Sequence, residues 1–139
     1  MKKSIVEQMR RLASTSPGAV GCTEDEIRLV RSLLRLDELP DEYEAFLATM
    51  GASAGERFED YGIEATDVPH AIHTLAYLTK AYSFSLPADA TVIGQHQSYE
   101  LTYLELKTGA VKICSACTAE PGYKVYDAAD SLLEYLLKG

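Results

Sequence analysis

The chain has 139 residues, 13 of them basic and 21 acidic, for a net charge of −8, with 47% apolar residues and three cysteines. The sign is wrong for gripping a phosphate backbone, so nucleic acid is not an expected partner. No window of the sequence approaches the roughly 18 uninterrupted apolar residues of a membrane span, and the length suits one domain able to bury about two thirds of its unfolded surface.

The opening stretch, MKKSIVEQMRRLAS, interrupts its apolar character with Glu7, Gln8, Arg10 and Arg11 and so lacks a signal-peptide core. Together with the odd set Cys22, Cys114 and Cys117, this predicts a reducing, cytoplasmic setting. Ser4 and Glu7 have the spacing of a capping box and predict a short helix with Ile5, Met9 and Leu12 on one side. STSPGAVG, residues 14–21, reads as a loop. Thr23 and Glu26 form a second capping box, opening a helix with Ile27, Val30 and Leu34 inward. Its outward stripe is Arg28, Arg31 and Arg35, with Glu24 one turn before Arg28.

Residues 39–55, LPDEYEAFLATMGASAG, predict the next helix. Pro40 suits its first turn, where the missing N–H would be unpaired anyway, and Asp41, Glu42 and Glu44 sit beside the positive end of the helix dipole. Tyr43, Phe46, Leu47 and Met50 fall on one stripe, and Gly51 stops the helix. A loop with a turn or short strand around Phe58 follows. A longer helix is predicted from Asp67 or Val68 to Tyr82, with Pro69 in its first turn and Ile72, Leu75 and Tyr82 inward.

The pattern then changes to β-branched and aromatic runs at 90–97, 99–106 and 110–114, separated by Gln97-Ser98 and by Lys107-Thr108-Gly109. Both alternating sets of the middle run, Tyr99, Leu101, Tyr103 and Thr102, Leu104, Leu106, hold large apolar groups, which predicts a central strand covered on both faces. GYKVY, residues 122–126, is a candidate fourth strand, and Asp127 and Asp130 are placed to cap a final helix with Leu132, Leu133, Leu136 and Leu137 inward. The expectation is an α+β fold, helices packed on a small antiparallel or mixed sheet whose central meander spans about 90–114, with the 40–50 helix against it. Residues 1–139 form one domain in this reading, with 1–21 as an N-terminal helix and loop and 22–138 as the core.

Catalytic signatures are lacking: there is no phosphate-binding GxxxxGK[ST], no GxSxG and no HExxH. Cys114 and Cys117 in a CxxC, with His70 and His73 on adjacent helical turns, are ligand types for tetrahedral zinc, but 40 residues separate the pairs. A redox CxxC needs a helix N-terminus to lower its thiol pKa, whereas this one ends a predicted strand. His96, at a strand end, reads as a satisfied polar residue. No enzyme activity, metal or cofactor is expected.

Charge is the remaining signal. From Asp37 to Asp67 there are ten acids against the single base Arg57, a local charge of −9. Such a run is either a solvated face or a docking face for something basic. The candidate partner-binding residues are Asp37, Glu38, Asp41, Glu42, Glu44, Glu56, Glu59 and Asp60, with Tyr61 as an aromatic anchor.

The order of elements resembles the SUKH superfamily, the Smi/Knr-like domains, over about residues 22–138. Two pieces carry the resemblance: a charged helix leading into Leu39-Pro40-x-x-Tyr43-x-x-Phe46-Leu47, and a strand pair with Ile93-Gly94 before Tyr103-Leu104-Glu105-Leu106 and the Thr108-Gly109 turn. Where the family usually shows paired glycines, this chain has Gly51-Ala52-Ser53-Ala54-Gly55. The resemblance implies a non-catalytic binding domain. Bacterial members are typically immunity proteins that neutralise a cognate toxin, often a nuclease, and fungal relatives act as signalling scaffolds. An immunity-type protein that binds a basic toxin is therefore the expected function, with a regulatory scaffold as the alternative.

Overall fold

The computed structural model describes residues 3–138. Among them the chain forms five α-helices and a four-stranded antiparallel sheet, the α+β class that the patterning predicts. Helix α1 (Lys3–Ser14) is already formed at Lys3, so Ser4 lies inside it and is not the residue that caps it. The buried face sets its course instead: Met9 and Leu12 are buried, and Ile5 packs on the same core. Because that face lies against α3 (Asp41–Met50), α1 is part of the core and no appendage to it.

Helix α2 (Glu24–Leu33) starts where its capping box predicts. The Glu26 N–H donates to Thr23 Oγ1 at 3.2 Å and the Thr23 N–H to Glu26 Oε1 at 2.8 Å. Val30 is buried, and Ile27 and Leu34 pack at the margin of the core. Arg28 pairs in solvent with Asp25 at 3.0 Å and Glu24 at 3.8 Å, contacts too exposed to contribute much.

Helix α3 buries more than a stripe. Tyr43, Ala45, Phe46, Leu47 and Met50 are all fully covered, because α1, α2 and α5 (Leu132–Leu137) surround them. Pro40 stands at its cap position, its carbonyl accepting the Glu44 N–H at 2.9 Å. The expected packing of this helix on the sheet is met through the core it shares with Ile93, Leu104 and Val111, while α4 (Val68–Tyr82) covers the other face, along β1 (Ala90–His96) and β2 (Glu100–Glu105). The contact face of α4 is Val68, Ala71, Thr74 and Leu78, while Ile72, Leu75 and Tyr82 are only half-buried. Ile72, Leu75 and Tyr82 still pack against the layer under α4, so the predicted face is turned by about one position from Ala71 and Thr74, which carry little apolar bulk.

The sheet runs β1-β2-β3-β4, with β3 at Val111–Ala116 and β4 at Tyr123–Ala129. Four consecutive residues of β2, Leu101 to Leu104, are buried, as a strand covered on both faces requires. Leu101 and Tyr103 join Val92, Cys114, Ala71 and Leu78 under α4. Leu104 faces the other way, into the core of Ile93, Val111, Leu132, Leu136 and the α3 side chains. The sheet therefore separates two apolar layers.

The last strand is longer than predicted. Asp127 lies inside β4, where it meets Lys112 of β3, so it caps nothing. The cap of α5 is Ser131, whose Oγ accepts the Glu134 N–H at 3.1 Å. Leu132 and Leu136 turn inward as expected, whereas Leu137 is 58% exposed. No helix among the described residues is long and apolar enough to cross a membrane.

Candidate partner-binding surface

The structure distributes the predicted acids over several places. Asp37, Glu38 and Asp41 are exposed before and at the start of α3. Asp41 and Glu42 line a depression with Lys107, Thr108 and Ser131. Glu42 is also structural, since its Oε1 accepts the Leu133 N–H at 3.2 Å in the first turn of α5, a donor with no partner inside that helix. Glu44 is half-buried.

Glu56 and Glu59 are exposed in the following loop and share a second depression with Glu64. Glu64 is spent on folding that loop: its Oε2 accepts the Ala54 N–H at 2.6 Å, and its own N–H donates to Asp67 Oδ2 at 3.0 Å. Burial raises the Asp67 carboxyl above its ordinary value, and the N–H of Glu64 works against that. None of the eight predicted carboxylates forms an ion pair among the described residues.

Asp60 and Tyr61 stand in a third place, built by long-range packing. Their loop is anchored by the buried Phe58 and Ile63, and Gln95 of β1 donates its N–H to the Gly62 carbonyl at 3.0 Å. Gly62 has φ +66°, and a Cβ there would run into the Gln95 carbonyl; a Cβ on Gly94 would run into Gly62 and Ile63. Glycine at both positions is what lets the loop lie on β1, at the point where the β1–β2 register shifts between Val92 and Gly94.

Across the three-residue connection of Gln97, Ser98 and Tyr99, the first two at positive φ, His96 pairs with Glu100, which puts both side chains on one face of the sheet. Gln95 Oε1 accepts the Ser98 N–H at 2.9 Å and braces the turn. Thr102 lies two residues along the same face, opposite Ile113 of β3. Tyr135 of α5 closes the end, its ring 5.3 Å from that of Tyr61, which in turn meets Phe58 edge-on at 5.2 Å.

The result is an open depression of about 320 Å³, walled by the two tyrosines, with Asp60 and Glu100 as its acids and His96, Thr102 and Ile113 completing it. Burial, then the neighbouring Tyr61, raises the Tyr135 phenol; its hydrogen bond with Thr102 opposes this, and Glu100 adds to it. Tyr61 is likewise raised by burial, against the pull of Arg57.

Asp60 and Tyr61 were legible from sequence as part of the acidic run, but His96, Glu100, Thr102 and Tyr135 were not assigned to any site. The alternation of Glu100 and Thr102 with Leu101 and Tyr103 was the signal that could have placed them on one strand face. Tyr61 is also less free than an exposed anchor, since Phe58 and Tyr135 already occupy part of its ring.

The cysteine and histidine pairs do not form one metal-competent group among the described residues. His70 and His73 are exposed on α4, where they line a separate cleft of about 530 Å³ with Tyr77 and Tyr99. Cys114 sits within β3, short of the strand's end, and is buried; burial first, and then Cys117, pushes its thiol up to about 11. Among the described residues no group of three or more His, Cys, Asp or Glu side chains could hold a metal ion.

Comparison of the chain with protein-family models, curated proteins and solved structures finds no match.

Proposed function

We propose that the chain is a non-catalytic binding domain of the SUKH immunity type, which holds a basic protein toxin, such as a nuclease, through its acidic surface. The observation that supports this most is that Asp37, Glu38, Asp41, Glu56, Glu59 and Asp60 are all exposed and lack ion pairs among the described residues. Acids that serve the fold are usually paired or capping, as Glu64 is; these six are left to act on something outside. An excess of exposed charge of one sign speeds encounter with an oppositely charged partner, most at low salt. A nuclease presents such a patch where it grips phosphates.

Co-purification from the native cell tests the reading, followed by titration of the captured protein at several ionic strengths. One stoichiometric basic protein should appear. Changing Asp37, Asp41, Glu56 and Glu59 together to Lys should slow its association by about tenfold or more at low salt and flatten the salt dependence. A broad set of cellular partners would favour the scaffold reading, and an unchanged association rate would return the acids to solubility.

A further inference from the structure

The depression between Tyr61 and Tyr135 has a composition that neither a structural role nor the acidic run explains. Its carboxylates come from two separate elements, Asp60 from the loop and Glu100 from β2, and Glu100 lies well outside the acidic run. Neither is ion-paired among the described residues, and no lysine or arginine is among the residues that line the depression, so two like charges face one space. Left so, they repel; a cation that bridges them relieves the repulsion.

The size and donors of that cation can be argued. Asp60, His96 and Glu100 share the depression but do not form a group that could hold a metal ion, so a compact ion has too few ligands in reach. A space of about 320 Å³ with aromatic rings at its wall suits a broad, planar cation. Guanidinium meets each requirement: it has five donors in one plane, enough for two carboxylates at once, and it is weakly hydrated and stacks on tyrosine. A lysine ammonium is a strongly hydrated point charge that gains little from the rings. We infer that this depression is a socket for an arginine side chain presented by the basic protein partner.

The inference rests on the acidic-surface reading for the nature of the partner, but its geometry is local and can be tested without that partner. The probe is a tetra-arginine peptide, with tetra-lysine as the comparison, titrated into the full chain and followed by residue-resolved NMR. Tetra-arginine should shift Tyr61, His96, Thr102 and Tyr135 saturably. Tetra-lysine should bind the socket at least about threefold more weakly, since charge alone does not use the rings. Asp60→Asn and Glu100→Gln should each weaken tetra-arginine by about fivefold, the equivalent of ~1 kcal/mol for a partly exposed charged contact.

Equal affinity for the two peptides, or shifts confined to Glu56, Glu59 and the start of α3, would overturn the socket. So would an affinity unchanged in Glu100→Gln. The two proposals fail separately: if charge reversal at Asp37, Asp41, Glu56 and Glu59 abolishes capture of the partner while Glu100→Gln leaves both titrations untouched, the acidic surface stands and the socket falls. If tetra-arginine seats at Tyr61 and Tyr135 yet no basic partner is captured, the socket stands and the toxin-binding reading falls.

Discussion

At Tyr43 the ring and the hydroxyl work against each other. The ring is fully buried and stacks near-parallel on Phe46 with centroids 6.4 Å apart, yet the hydroxyl is buried with no hydrogen-bond partner among the described residues. A buried hydroxyl without a partner loses its water and gains nothing in return. Tyr43→Phe keeps the ring and removes that cost, so stability should be unchanged or higher by up to about 1 kcal/mol in urea unfolding. The same burial, followed by nearby Cys22 and Asp67, raises the phenol above its ordinary value of 10.0. The native state thus keeps a proton that the unfolded chain releases near pH 10, so stability is present below that pH and lost as pH rises further. Cys22, pushed up to about 11 chiefly by burial, contributes a decline of the same sign. Tyr43→Phe should therefore flatten the alkaline loss of stability, leaving the share that belongs to Cys22. Identical alkaline profiles for the two proteins would mean that Tyr43 does not feel the burial described.

Among the elements, β2 is the one on which both apolar layers depend. Leu104 is 1% exposed and faces the helical core, so Leu104→Ala removes buried contacts and leaves a cavity, at a cost of about 2 to 5 kcal/mol. Leu137, which the amphipathic pattern also turned inward, is exposed at the end of α5, and Leu137→Ala should cost under about 0.5 kcal/mol. Thermal or urea unfolding of the two variants checks the pair, and similar losses in both would contradict the burial. The contrast also marks how far the sequence could be read. The two-sided run of β2 and the Thr23–Glu26 box were legible because each is decided within a few residues. The face of α4 was placed one position off its centre, because Ala71 and Thr74, small and in one case polar, carry little of the apolar signal. The cap of α5 was misread because β4 runs on to Ala129 and leaves Ser131 to open the helix. The tyrosine-walled depression was hidden for a further reason: a loop, three strands and α5 meet there, and the glycine pair Gly62 and Gly94 lets the loop lie on β1.

For the whole molecule, charge and stability oppose one another. A net charge of −8, with ten acids in residues 37–67 against one base, repels itself in the compact state, and few of these acids recover that cost through contacts. Glu42, Glu64 and Asp67 do, by accepting backbone N–H groups; Glu56, Glu59 and Asp37 accept none among the described residues. Reversing the second set should therefore leave the free protein as stable as before, or more stable by up to about 0.5 kcal/mol per site. Added salt should raise the unfolding temperature of the wild type more than that of the reversed variant, because screening relieves repulsion only where it exists. Truncating Glu42 to Ala should act the other way, costing about 1 kcal/mol through the lost cap on Leu133, at any salt concentration. Calorimetry over a salt series separates the two kinds of acid. If Glu56→Lys and Glu59→Lys together lowered stability by more than about 1 kcal/mol, these carboxylates would be serving the fold, and the case for a surface held ready for a basic partner would lose its physical ground.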